Sequence, residues 1–295
     1  MPEPRTYASA EAFRSALEDR LARIALEQAL DINRLRKMVA LERLLARLFN
    51  SAQPPWILKG GYAMEMRFRQ AARATRDIDM SLPELRPLLK GEEISDDKLL
   101  AELTRAGAVT MSDWFTFQIG SPSAELEAQP YGGIRFPTTA MLADREFTAF
   151  HLDVALGDAT ASEPEWVQGH DLLGFAGIAP AKIALIPKEQ QFAEKVHAYT
   201  LPRESANSRV RDLVDLVLLV QKGLPDKAKA IAAVQATFQR RKTHPVPDAL
   251  PLPPADWEEP YRKIADEIRL QPVDANAAHA IVSEYWKGLK FERGA

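Results

Sequence analysis

Apolar side chains recur at helical spacing near the start of the chain. Two segments, 10–30 and 32–49, place them three or four positions apart, which puts them on one face of a helix. Ser9 precedes the first segment as a candidate N-cap, and Pro54 and Pro55 follow the second. The sequence therefore predicts two leading amphipathic helices.

Short runs rich in β-branched and aromatic residues alternate with helical patterns after these two helices. One helix is predicted at 62–69, and another begins at the Ser95 cap and ends at Gly107. The predicted strands are 56–61, 77–82, 114–119, 133–142 and 147–156. This alternation is typical of an α/β region.

From Pro187 onward the apolar spacing is helical. The predicted helices are 188–200, 208–222, 225–239, 256–269 and 275–289, and a proline-rich connector spans 243–256. We therefore predict an α/β (α+β) fold with two parts. An α/β domain with a mixed sheet and the two leading helices covers 1–165, and a helical domain covers 180–295.

Composition excludes several classes of protein. The net charge of −3 argues against a protein that mainly coats nucleic acid, and the absence of cysteine excludes disulfides and thiolate zinc sites. The longest apolar run, 216–220, is far shorter than a membrane span, and the first residues have no apolar segment of the signal-peptide type. A cytoplasmic protein without a membrane partner is the expectation.

Two aspartates flank a single isoleucine in the predicted strand 77–82. Residues two apart on a strand face the same side, so the carboxylates of Asp77 and Asp79 point to one place. Mutual repulsion is relieved by a divalent cation, and hard oxygen ligands suit Mg²⁺. Asp153, in the predicted strand 147–156, is a third candidate ligand, and three such carboxylates can hold the metal ions of a phosphoryl-transfer site.

A glycine pair lies between the first predicted strand and the helix that follows it. Gly60 and Gly61 allow close approach to the backbone, and a helix N-terminus offers N–H groups to an anion. Lys59 can reach a phosphate as a point charge. Thr75 and Arg76 lead into the acidic strand and line the same predicted nucleotide pocket.

A second cluster of charged residues lies in the helical half. Lys195 precedes a predicted apolar helix that contains Asp212 and Asp215. On one interpretation these aspartates pair with Lys195, Arg209 or Arg211 and join two helices, because unpaired buried charges are costly. On the other, Lys195 binds a triphosphate, and Asp212 orients it or acts as a base for the acceptor hydroxyl. Spacing alone leaves both open.

Arginines also cluster along the chain. One group adjoins the predicted pocket and offers phosphate contacts to an RNA acceptor, while a second group has the pattern of a solvated helix face. The first group is Arg67, Arg69, Arg73 and Arg76, and the second is Arg240, Arg241 and Lys242.

These motifs together resemble a known family. LKGGYAMEMRF followed by RATRDIDM is similar to the first motif of the AbiEii/AbiGii toxins, which belong to the DNA-polymerase-β-like nucleotidyltransferase superfamily. AEKVHAYT and SRVRDLVDL resemble the third and fourth motifs. The resemblance extends from about 56 to 222, and the motifs occur in order.

The resemblance implies a bi-lobed fold, with a nucleotidyltransferase domain and a helical C-terminal domain. It also implies NTP-dependent nucleotidyl transfer. The residues that match the family's functional positions are Lys59, Asp77, Asp79, Lys195 and Asp212. Thr75 stands where some relatives have a serine, which makes it a candidate for modification, and Arg76 replaces a lysine that is common in relatives.

The resemblance further implies a toxin with a cognate antitoxin. Related MenT-type toxins add nucleotides to the 3′ end of tRNA, so an RNA acceptor is the leading hypothesis. Transfer to a small molecule of the aminoglycoside kind, or to a protein, is an alternative that uses the same motifs. A nucleotide-binding or RNA-binding module without catalysis is an alternative of another class.

Overall fold

The structure is a computed structural model that describes residues 5–82, 95–125, 132–156, 162–202 and 209–291. The first residue of the predicted helix 208–222 lies outside these ranges. Within them, no helix is long and apolar enough to cross a membrane.

Four helices in the first half of the described chain follow the predicted pattern. Helix α1 is Ala10–Gln28, α2 is Ile32–Leu48, α3 is Gly60–Phe68 and α4 is Asp96–Gly107. The Ser9 and Ser95 hydroxyls accept hydrogen bonds from the backbone N–H groups of Ala12 and Lys98, so both serines are N-caps. Glycine at residue 60 allows α3 to begin directly after a strand.

A mixed sheet of eight strands is formed by the described residues. The strands are β1 Ile57–Lys59, β2 Ile78–Leu82, β3 Phe115–Ile119, β4 Ala124–Glu125, β5 Gly133–Leu142, β6 Arg145–Leu156, β7 Glu165–Gln168 and β8 Lys182–Leu185. Their order is β3-β5-β6-β2-β1-β8-β7, and β4 pairs with β5. β2 is parallel to β6 and antiparallel to β1, while β6 is antiparallel to β5. The predicted α/β class with a mixed sheet is confirmed.

Three of these strands were not predicted. β4, β7 and β8 have two to four residues each, which is too short for a period of two to be recognised. β8 is a strand because it pairs in parallel with β1, where Leu185 lies beside Leu58. Pairing of residues so far apart in the chain is not encoded in local composition.

The second half of the described chain is helical. Helix α5 is Lys188–Thr200, α6 is Val210–Leu218, α7 is Lys227–Arg241, α8 is Glu258–Glu267 and α9 is Ala275–Lys287. A π-helical turn, Leu219–Gly223, extends α6. The core of this half contains fully buried side chains from several helices, among them Phe192, Val196, Leu216, Val234, Tyr261 and Val282.

The chain divides into two compact units. The first contains the described residues of Met1–Tyr62, Ala74–Ala159 and Trp166–Leu185, and the second those of Ala63–Arg73, Thr160–Glu165 and Ile186–Ala295. These ranges differ from the predicted bounds of 1–165 and 180–295 in three ways. Strand β8 and most of β7 belong to the unit with the sheet, 63–73 belongs to the helical unit, and so do the described residues of 160–165.

Candidate active site

A row of four charged residues crosses the sheet of the first unit. Lys59 on β1 pairs with Asp79 on β2, Asp79 pairs with Asp153 on β6, and Asp153 pairs with Arg135 on β5. Residues directly opposite one another on neighbouring strands project from the same face. The charges therefore run positive, negative, negative, positive across four adjacent strands.

The other face of the same strands is apolar. Ile78 and Met80, which flank Asp79, are fully buried, and so are Leu152 and Val154, which flank Asp153. This alternation fixes the strand register, because a slip by one residue would bury the carboxylates among apolar side chains. The hydrophobic core thus determines where the two aspartates lie.

Asp153 forms an ion pair within the protein. Both of its oxygens accept hydrogen bonds from Arg135, from Nε at 2.8 Å and from Nη2 at 2.6 Å. The hydrogen bond with Asp153 raises the pKa of Arg135, and the charges of Asp77 and Asp79 contribute to this shift. The role of Asp153 as a metal ligand stays a prediction, and its observed partner is Arg135.

Asp77 is held at the start of the acidic strand by His151. The backbone N–H of His151 donates to Asp77 Oδ1 at 3.0 Å, and the ring Nδ1 lies 3.2 Å from the same oxygen. His151 is two residues before Asp153 on β6 and so projects from the same face. His151 was not predicted as a site residue, although its spacing of two residues from Asp153 places it on the same strand face.

Gly60 lies directly against the Asp79 carboxylate. Its φ is +65°, and a Cβ at this position would be 2.1 Å from Asp79 Oδ2. Glycine is therefore required at residue 60 both by backbone conformation and by space. Lys59 and Gly61, the neighbours of Gly60, are buried. Arg76, which directly precedes Asp77, is exposed.

The donors on this face fit a hard divalent cation. Asp77 and Asp79 offer carboxylate oxygens from one strand face, and each side chain is only partly buried. Mg²⁺ in nucleotide enzymes is commonly held by one or two carboxylates together with waters and substrate phosphates. In the described ranges, no group of three or more His, Cys, Asp or Glu side chains is arranged to hold a metal ion.

The predicted charged cluster of the helical half is formed within the second unit. Lys195 Nζ on α5 lies 2.8 Å from Asp212 Oδ1 and 2.8 Å from Asp215 Oδ2, both on α6. Burial disfavours the ammonium, but the two carboxylates outweigh this effect and raise the pKa of Lys195. The ion pairs expected on the first interpretation of the sequence are therefore present, and the role of Lys195 towards a triphosphate stays a prediction.

Two arginines complete this cluster. Arg73 donates to Asp215 through Nε at 3.0 Å and Nη2 at 2.9 Å, and Arg209 Nη1 is 3.6 Å from Asp212. Burial raises the pKa of Asp215, but Lys195 and Arg73 reverse this, so the net shift is downward. Lys195, Arg73 and Arg209 thus surround the two carboxylates of α6.

Other predicted arginines have partners inside the second unit. Arg67 donates to Glu165 at 3.0 Å, to the Ile186 carbonyl at 2.7 Å and to Gln191. Arg241 contacts the ring of His197 at 3.3 Å. The prediction of a solvated helix face is therefore wrong for Arg241, whose side chain is 11% exposed, because it packs against α5.

The family model for the nucleotidyl transferase AbiEii toxin of type IV toxin–antitoxin systems matches residues 43–288. The chain belongs to this family. All the predicted site residues lie inside the matched range. The chain is thus a nucleotidyltransferase of a toxin family, and the family implies an NTP substrate and a cognate antitoxin.

One solved structure supports the fold assignment, and two others are similar at lower TM-scores. MenT4, a nucleotidyltransferase toxin from Mycobacterium tuberculosis H37Rv, is 17% identical with a TM-score of 0.59, and the match covers 92% of this chain and 89% of that one. JHP933 from Helicobacter pylori is 16% identical with a TM-score of 0.46, covering 88% and 93% of the respective chains. The antibiotic-resistance factor ANT(2'')-Ia is 17% identical with a TM-score of 0.35, covering 70% and 92%. No curated protein sequence matches the chain significantly.

Proposed function

We propose that this protein is a Mg²⁺-dependent toxin that transfers a nucleoside monophosphate from an NTP to RNA, with the 3′ end of tRNA as the acceptor. The main structural support is the row of Lys59, Asp79, Asp153 and Arg135, with Asp77 on the same face. The choice of tRNA rests on the resemblance of the motifs to those of MenT-type toxins.

The reaction joins the acceptor to the α-phosphorus of the NTP. The oxygen of the acceptor hydroxyl forms a bond to that phosphorus, and the bond from the α-phosphorus to the bridging oxygen of the β-phosphate breaks. Pyrophosphate leaves with the bonding electrons, and the hydroxyl proton passes to a base or to solvent. Asp77 and Asp79 would hold Mg²⁺, which supplies charge neutralisation at the phosphates.

Residues of the first unit are assigned to the nucleotide by their positions. Lys59 contributes a positive charge beside Asp79, and Gly60 and Gly61 open the N-terminus of α3 towards an anion. Thr75 and Arg76 directly precede the acidic strand and are assigned to the nucleotide pocket by that position. Because Arg76 is exposed, whereas Arg67 and Arg73 have carboxylate partners, we assign the acceptor phosphate contact to Arg76.

Lys195 is assigned to the NTP phosphates. An ammonium has three N–H groups, and the acceptors described for Lys195 are Asp212 and Asp215. The third N–H is assigned to a phosphate oxygen of the NTP. Asp212, the less buried of the two carboxylates, is assigned to the same phosphate-binding step.

The test is transfer of label from each α-labelled NTP to total tRNA with Mg²⁺. The enzyme forms are wild type, Asp77→Asn and the control Asp144→Asn, which changes an exposed aspartate in the β5–β6 turn. We expect label on tRNA with wild type and with Asp144→Asn. We expect a loss of about 100-fold or more with Asp77→Asn, because a group that stabilises transition-state charge is removed.

Parallel reactions contain an aminoglycoside or the protein alone in place of tRNA. Label in one of these reactions and none on tRNA would reject the RNA acceptor and favour the alternative of a small-molecule or protein substrate. Equal labelling of tRNA by wild type and Asp77→Asn would reject the assigned site.

A further inference from the structure

The two carboxylates that contact Lys195 have different surroundings. The Asp215 side chain is 1% exposed, and both its oxygens accept hydrogen bonds from the guanidinium of Arg73. The Asp212 side chain is 8% exposed, and its other cationic neighbour among the described residues is Arg209 at 3.6 Å. One carboxylate is therefore fixed by a bidentate pair, and the other has a longer cationic contact besides Lys195.

These surroundings determine which carboxylate is able to move. If a buried carboxylate moves out of a bidentate pair with arginine, the guanidinium is left without its partner in a buried position. Such a buried, unpaired charge is strongly unfavourable in free energy. The contact from Arg209 to Asp212 is too long for a hydrogen bond, and the Arg209 side chain is 37% exposed, so solvent weakens it. Displacement of Asp212 from Lys195 therefore costs less than displacement of Asp215.

We propose that Asp215, fixed by Arg73, is the positioning residue for Lys195, and that Asp212 is the carboxylate that yields its contact with Lys195 when NTP phosphates bind. This inference rests on the proposed function, in which Lys195 binds the NTP. It assigns different roles to two aspartates that lie on the same helix and contact the same ammonium. The position of Lys195 is set before the nucleotide arrives, which lowers the entropic cost of binding.

Two matched substitutions separate this mechanism from a purely electrostatic one. Asp215→Asn and Asp212→Asn each remove one negative charge from the same cluster without changing side-chain size. If charge alone mattered, both variants would bind an anionic nucleotide more tightly. If Asp215 positions Lys195, Asp215→Asn binds it more weakly, while Asp212→Asn binds it as tightly as wild type or more so.

The first measurement is the Kd of an α,β-methylene NTP analogue with Mg²⁺, taken by calorimetry on the full chain without an acceptor. We expect Kd to rise about tenfold or more in Asp215→Asn and to stay level or fall a few-fold in Asp212→Asn. A change in the same direction in both variants would overturn the inference while the proposed function stands. Absence of binding by wild type would reject both.

A second variant and a second measurement keep the inference testable if Asp215→Asn does not fold. Arg73→Lys keeps the charge beside Asp215 but removes the bidentate fork, so we expect a smaller rise in Kd in the same direction. Acylation of Lys195 by acetic anhydride, followed by mass spectrometry, reports on the ammonium without requiring nucleotide. Labelling should increase more in Asp215→Asn than in Asp212→Asn, and the reverse order would contradict the positioning role.

Discussion

The carboxylate of Asp79 occupies the space that a Cβ atom at residue 60 would need. The closest approach would be 2.1 Å, to Asp79 Oδ2, and the backbone of Gly60 has φ of +65°. The first glycine of the motif is thus explained by its contact with the central aspartate. It is a part of the acidic site as well as a turn.

Gly60→Ala should therefore displace the Asp79 side chain and remove most of the activity in transferring nucleotide to tRNA. The positive φ costs about 1 kcal/mol for alanine, and steric overlap with a carboxylate adds to this. Thermal denaturation and transfer of labelled nucleotide measure the two effects. Gly132→Ala is the control, because Gly132 has φ of +78° and a Cβ added there would meet nothing within 4 Å. Equal effects of both substitutions would show that only backbone strain matters.

Substitution of Arg135 tests the balance of charges in the row. In Arg135→Gln the adjacent carboxylates of Asp79 and Asp153 lose the neighbouring guanidinium, so we expect the free energy of unfolding to fall by about 1–2 kcal/mol, after allowance for solvent screening. Urea denaturation provides the measurement. Arg135→Lys keeps the positive charge but cannot form two parallel hydrogen bonds to one carboxylate. Its free energy of unfolding should therefore lie between those of wild type and Arg135→Gln. A variant as stable as wild type would show that the pair contributes nothing to folding.

A chain of hydrogen bonds joins the C-terminal ends of α5 and α7. Arg241 can only donate, so it donates to His197 Nδ1, and the neutral ring donates from Nε2 to Thr243 at 2.8 Å. Thr200 donates to the Val196 carbonyl and hence accepts from His244 Nε2 at 2.8 Å. Both imidazoles are neutral in this arrangement. Burial, together with the charge of Arg241, lowers the pKa of His197 to about 3.

This network predicts a loss of stability in mild acid. The pKa of His197 in the folded protein lies below its unfolded value of 6.5, so protons bind preferentially to the unfolded chain as pH falls below 6.5. The contribution of neutral His197 to the free energy of unfolding is complete above pH 6.5. Below that pH the free energy of unfolding decreases by about 1.4 kcal/mol per pH unit. Urea denaturation of wild type and His197→Gln between about pH 7 and pH 5 measures this contribution, because the variant lacks the imidazole. Parallel pH dependences in the two proteins would contradict the prediction.

The sequence was most informative where chemistry and strand period coincide. Asp77, Asp79 and Asp153 were identifiable because apolar residues alternate with them and because the strand, glycine pair, helix and acidic strand occur in a recognisable order. Arg135 was not identifiable, since its contact with Asp153 depends on the register of β5 against β6. A local pattern shows which face a residue occupies but not which residue lies opposite.

In the helical cluster, too, local spacing did not reveal every partner of the buried aspartates. One of the two interpretations of the sequence paired Asp212 and Asp215 with Lys195, Arg209 or Arg211, since buried charges require partners, and the structure has both contacts with Lys195. That interpretation gave Arg209 or Arg211 as the further cations, whereas the bidentate partner of Asp215 is Arg73. Arg73 belongs to a segment far away in the chain that joins the helical unit, and local spacing has no signal for such long-range packing.

Release of pyrophosphate shows whether Asp79 belongs to the active site of a nucleotidyltransferase. Wild type, Asp79→Asn and Asp144→Asn are compared with NTP, Mg²⁺ and total tRNA in a coupled pyrophosphate assay. The account predicts release by wild type and Asp144→Asn, and a loss of about 100-fold or more in Asp79→Asn if that protein melts at the same temperature as wild type. Undiminished release by a folded Asp79→Asn variant would contradict the assignment of the charged row as the active site.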